Sequence, residues 1–128
     1  MTNETRTIDS VLDLTEAMSN MDGDAELLQE IVEIFMETAK PQLDNIQQCI
    51  EIGEMKQVAI QAHALKGGAS NFCGRRFVAS ALKLELLAKS GTLEGAEEVL
   101  EQMRSDNAEI TEVAQAINWD EVERSWQG

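Results

Sequence analysis

Apolar side chains recur at three- and four-residue intervals along almost the whole of this 128-residue sequence. A chain patterned in that way can bury its hydrophobic surface only as packed helices. The spacing predicts a short helix over about residues 9–19, with Val11, Leu14 and Met18 on one side and Met21 following. Met21-Asp22-Gly23-Asp24 breaks the pattern, and Asp24 is a natural N-cap for what comes next. The second apolar series, Leu27, Leu28, Ile31, Ile34 and Phe35, resumes beyond Pro41 as Leu43, Ile46 and Ile50. One long, bent helix from about residue 25 to 52 fits this better than a stop and restart at the proline. After Gly53, further helices are expected over about 54–72, 75–90 and 93–117. The last of them buries Val99, Leu100, Met103, Ile110, Val113 and Ile117. The tail, with Trp119 and Trp126, is expected to pack back on one more short turn.

Long amphipathic helices joined by short connections specify an all-α fold, an antiparallel four-helix bundle with a short N-terminal capping helix. A chain of this length holds one core. A single domain over 1–128 is therefore expected, with its core at about 8–117 and a C-terminal extension at 118–128. Composition agrees: 43% of residues are hydrophobic, enough for a globular core, and aromatics stand at only 4% with no Tyr, which disfavours strands.

Charge narrows the partners. The formal net charge of −14 repels nucleic acid and anionic membrane, so neither is an expected partner. No apolar run reaches the roughly 20 residues that span a bilayer. The polar N-terminus lacks a secretion signal, and cytoplasmic localisation is expected. Cys49 and Cys73 have no metal-ligand spacing and are read as reduced thiols, with a bridge between them as the alternative. Against the acidic whole, residues 61–90 carry five cations (Lys66, Arg75, Arg76, Lys83 and Lys89) and one acid, Glu85. The lone histidine, His63, lies inside this basic island. Either surface lysines cluster there by chance, or something anionic visits the segment.

The helix around His63 is the most informative. Its apolar stripe, Val58, Ala62, Leu65, Ala69 and Phe72, faces the core. His63 falls about 140° from the centre of that stripe and points towards solvent. Its neighbours on that face are Ala59, Lys66, Gly67 and Ser70, small apart from the lysine. Gly67 and Gly68 each cost about 1 kcal/mol relative to Ala inside a helix. An exposed face needs no small residue for packing, so Gly67 points to close approach by another molecule; the competing reading is a solvated histidine beside a helix-ending glycine pair.

The run Ala62-His63-Ala64-Leu65-Lys66-Gly67-Gly68-Ala69-Ser70-Asn71-Phe72 resembles the signature of the histidine phosphotransfer (HPt) family, His-x-Leu/Ile-Lys-Gly followed by small residues. It is similar to the phosphotransfer domain of chemotaxis histidine kinases. Gly23-Asp24-Ala25-Glu26-Leu27-Leu28 with Ile34-Phe35, and Phe77 with Leu84-Glu85, match the family's flanking pattern, so that the likeness covers about residues 8–117. One position departs: where the family has Gly, ten residues after the histidine, this chain has Cys73 followed by Gly74, as though the turn were shifted by one.

The resemblance implies a phosphorelay carrier. His63 would be the phosphorylated nucleophile, attacking in its neutral form through Nε2. It would exchange the phosphoryl group with receiver-domain aspartates of response regulators or hybrid kinases, or accept it from a histidine kinase. Lys66 would compensate phosphoryl charge, Glu85 would orient the ring through Nδ1–H, and Ala59, Gly67, Ser70, Arg75 and Arg76 would contribute to partner docking. No cofactor and no bound metal are expected on this chain; the Mg2+ of receiver chemistry belongs to the partner. With no glycine-rich nucleotide box, the chain is expected to have no kinase or ATPase activity of its own. The rival readings are a non-phosphorylated helical adaptor, a metal or haem bundle, which a single histidine without Glu-x-x-His opposes, and a hydrolase, for which no nucleophile–base arrangement can be placed.

Overall fold

The computed structural model describes residues 10–126. Among them are six helices and no strand: α1 (Leu14–Asn20), α2 (Ala25–Glu51), α3 (Met55–Ser70), α4 (Arg75–Lys89), α5 (Ala96–Ala116) and α6 (Trp119–Ser125). Helices α2 to α5 form the four-helix bundle. Each packs on the next, and α5 closes the ring against α2. Cross-helix pairs give the antiparallel register. Asn45 reaches Gln61, His63 reaches Glu85, and Ser80 and Arg76 reach Asp106 and Glu109 in reversed order. Arg104 and Glu97 meet Asp44 and Gln47 between α5 and α2.

The N-terminal segment differs from expectation. Ser10 and Val11 are helical, Leu12 and Asp13 are not, and α1 begins only at Leu14. Asp13 breaks the helix because its N–H donates to the Cys73 carbonyl at 3.2 Å while its carboxylate accepts the Glu16 N–H at 3.1 Å. The expected start near residue 9 lies outside the described residues. Asp24 caps α2 as expected, accepting the Leu27 N–H at 3.0 Å. Helix α2 then runs unbroken for 27 residues, with Pro41 in its interior. An interior proline costs about 3 kcal/mol. Phe35 and Ala39 before it and Leu43 and Ile46 after it are all buried, and each large apolar side chain returns about 1.5–3 kcal/mol, so packing wins. The buried stripe of α2 passes through Leu28, Val32 and Phe35, whereas Leu27 and Ile34, expected inside, are exposed.

Helix α3 stops at Ser70 rather than near Phe72. The Gly74 N–H donates to the Ala69 carbonyl and the Cys73 N–H to that of Ser70, the paired bonds that close a helix through a left-handed residue. That residue is Cys73, with φ +59°. The turn is therefore not shifted to Gly74. Cys73 itself takes the conformation that favours glycine, and Gly74 is small for another reason, since a Cβ there would lie 2.9 Å from Phe72 Cε1. Helix α5 starts at Ala96, later than expected, because Gly95 at its N-cap has φ +84°.

The core is one hydrophobic cluster. At its centre the Phe35 ring meets Phe72 and Phe77 edge-on, with centroids 5.0 and 5.2 Å apart. The tail extends the bundle as expected: Trp119, Val122 and Trp126 pack against the core, with Trp126 over Gly23. No helix among the described residues is long and apolar enough to cross a membrane.

Candidate functional site

Helices α3 and α4 share the most extensive interface in the bundle, and the site lies along it. His63 stands at mid-helix on α3 with its side chain 65% exposed. Directly across, the Glu85 side chain is only 4% exposed. A buried carboxylate must be satisfied by donors, and three converge on it. His63 Nδ1 lies 2.9 Å from Oε2, Lys66 Nζ donates to Oε1 at 2.7 Å, and Lys89 Nζ donates to Oε2 at 2.9 Å. The hydrogen bond from Lys66, then that from Lys89, hold the Glu85 carboxyl at about 2 against the opposing effect of burial, with His63 adding to the depression.

This geometry fixes the chemistry of the ring. A carboxylate has no proton to give, so Nδ1 must be the protonated nitrogen of a neutral imidazole. The Nε2 lone pair is then free on the exposed side.

The surroundings leave that side open. A Cβ added to Gly67 would meet nothing within 4 Å, whereas one at Gly68 would lie 3.2 Å from Phe35 Cδ1. The glycine pair thus has two separate causes, an unobstructed outer face and a tight inner one. Ser70 is exposed, and its hydroxyl donates to the Lys66 carbonyl at 2.8 Å. An open groove of about 590 Å³ runs from His63 along the α3–α4 seam, lined by Met55, Ala59, Ile60, Ala88, Lys56 and Lys89. Ala59 is its floor, 7% exposed, and not part of an open face as the helical wheel suggested.

The basic island is mostly committed to internal pairs. Lys66 and Lys89 are on Glu85, Arg75 pairs with Asp13 and Glu16, and Arg76 pairs with Glu109 at 3.3 Å. The two arginines sit at the N-terminal end of α4, whereas Glu85 sits near its other end, so they tie helices together away from His63. Both side chains nonetheless stay partly exposed, at 52% and 40%.

Sequence reasoning found His63, Lys66 and Glu85 but missed Lys89, Met55, Lys56, Ile60 and Ala88. Lys89 was available as the i+4 partner of Glu85 on one helix face, and Ile60 as the i−3 neighbour of His63. Cys49 and Cys73 are free thiols. Burial, with the negative charge of Glu16 nearby, pushes the Cys73 thiol up, the opposite of an activated cysteine. Among the described residues no group of His, Cys, Asp or Glu is arranged to hold a metal ion.

Residues 30–119 match the Hpt domain family. The fold superimposes on the crystal structure of histidine-containing phosphotransfer protein B (HptB) from Pseudomonas aeruginosa PAO1 with a TM-score of 0.76, covering 91% of this chain and 97% of that one. At 22% identity that likeness is one of fold. No curated protein matches the chain by sequence.

Proposed function

The chain belongs to the Hpt domain family, and on that premise we propose that it is a phosphorelay carrier that accepts and donates a phosphoryl group at Nε2 of His63. The observation that carries this is the arrangement of one imidazole, its side chain 65% exposed and held at Nδ1 by a buried carboxylate, which leaves Nε2 as the nitrogen to react. The donor is a receiver-domain aspartyl phosphate. The Nε2 lone pair attacks phosphorus in line, the N–P bond forms, and the P–O bond to the aspartyl carboxylate breaks. The carboxylate leaves with the bonding pair, and the Nδ1 proton stays on the ring facing Glu85. The reverse step returns the phosphoryl group to a receiver. Such transfer asks the carrier chiefly for position and charge.

In this reading the open face at Gly67, with Ser70 and the groove above Ala59, admits the partner, and Lys66 offsets charge at the site. The Mg2+ of the reaction is the receiver's. The chain has no ATP-dependent activity of its own, acts in the cytoplasm, and works as one phosphocarrier unit. Exposed apolar residues Ile60 and Met55 beside the histidine suit a protein partner.

Profiling the protein against a panel of phosphorylated receiver domains tests this. The expected result is acid-labile, alkali-stable label from a subset of receivers, lost in His63→Gln with helicity intact. Label retained in that variant would refute the assignment.

A further inference from the structure

The cations at this site outnumber what its carboxylate needs. Lys66 and Lys89 both donate to Glu85, so one lysine neutralises it and the other is surplus. The two are not equivalent. Lys66 makes the shortest of the three contacts, on Oε1, which it has to itself, and its side chain is 23% exposed. Lys89 shares Oε2 with His63 Nδ1 and is 60% exposed. Although Glu85 itself is buried, the Lys89 ammonium keeps most of its access to water and can be exchanged onto a second anion more readily than that of Lys66.

Resting on the carrier reading above, we propose that Lys89 is the releasable cation of the site: when His63 is phosphorylated, the Lys89 ammonium leaves Glu85 Oε2 for the phosphoryl oxygens, while Lys66 stays on Oε1. A phosphoryl group on Nε2 brings nearly two negative charges to the neighbourhood of a buried carboxylate. Were Lys66 to move, the buried Glu85 carboxylate would lose its shortest contact, which is expensive. Lys89 can move at lower cost, because Lys66 and the Nδ1–H remain on the carboxylate. It lines the groove together with His63, and its ammonium and Nδ1 are separated by no more than two hydrogen bonds through one shared oxygen. Its departure also leaves Oε2 to the Nδ1–H alone, which tightens the ring in the orientation that presents Nε2.

The test uses the intact protein as wild type, Lys89→Ala, Lys89→Arg and Lys66→Ala, each equilibrated with a phosphorylated receiver that charges the wild type. Two quantities are read: the equilibrium constant for phosphoryl exchange, and the titration midpoint of the phosphohistidine by 31P NMR. Lys89→Ala is expected to lower the equilibrium occupancy of His63 about three- to tenfold and to raise the phosphoryl midpoint, with Lys89→Arg restoring both. Unchanged equilibrium and midpoint in Lys89→Ala would overturn the proposal. So would a slower approach to an unaltered equilibrium, which makes Lys89 a docking residue only, or a larger change of both quantities in Lys66→Ala. Failure of the wild type to take up phosphate at all is a separate outcome, read before any variant, and defeats the carrier reading itself.

Discussion

Nδ1 of His63 and Oε2 of Glu85 lie 2.9 Å apart across the α3–α4 seam, although 22 positions separate them in the chain. The contact joins an exposed ring to a buried charge, so the orientation of the ring is set from inside the bundle while its reactive nitrogen remains outside. The behaviour of the site under mutation and pH follows from that division.

Replacing Glu85 with Ala removes the acceptor for Nδ1–H and frees the ring to rotate. Phosphoryl transfer should fall about 10- to 100-fold, as when other partners that orient a functional histidine are lost. Glu85→Gln keeps an acceptor oxygen and should fall less. Single-turnover transfer from a labelled receiver measures both, and equal losses in the two variants would mean that charge, not orientation, is what Glu85 supplies.

Glu85 should also leave a mark on acid stability. Its carboxyl in the folded protein, at about 2, lies below the usual 4.5. The stabilisation from its ionised form is therefore complete above the unfolded value and fades as pH falls from there towards 2. Urea unfolding at pH 7, 4 and 2.5 should show stability dropping over that interval, with a shallower drop in Glu85→Gln.

The adjacent glycines should respond with opposite signs. Gly67→Ala meets open space and should gain up to about 1 kcal/mol from helix propensity. Gly68→Ala presses on Phe35, which Phe72 and Phe77 hold edge-on and prevent from yielding. It should lose about 1 kcal/mol once overpacking is set against propensity. Thermal or urea unfolding of the two variants reads the difference. Gly67→Leu should melt near the wild type yet transfer poorly, because its bulk stands where the partner approaches.

Cys73 gives a backbone test. With φ +59° it bears strain that glycine would not. Cys73→Gly should be neutral or stabilising, whereas Cys73→Val, β-branched in the same conformation, should lose more than about 1 kcal/mol by equilibrium unfolding.

Much of this was legible in the residues. The α3 stripe of Val58, Ala62, Leu65 and Ala69 is buried as its spacing demands, which places His63 outside. Asp24 capped its helix because an Asx side chain before an apolar series has one obvious use. What stayed hidden depended on contacts between distant segments. Asp13 interrupts the first helix through a hydrogen bond to Cys73, sixty residues on. Arg75 and Arg76 read as an anion-binding island until folding brought Asp13, Glu16 and Glu109 to them. Ile34 has the right spacing for the core but falls on the outer side of a helix whose contact stripe is set by Val32 and Phe35. Lys89 was missed because a cation four residues from an acid looks like an ordinary surface pair until the acid proves to be buried beneath a histidine.

The most direct test of the account is 15N and 31P NMR of the phosphorylated protein labelled at its single histidine. Phosphorus is expected on Nε2 of His63, with Nδ1 still protonated and its proton signal perturbed in Glu85→Gln. Phosphorus on Nδ1, or an Nδ1 proton indifferent to Glu85, would contradict it.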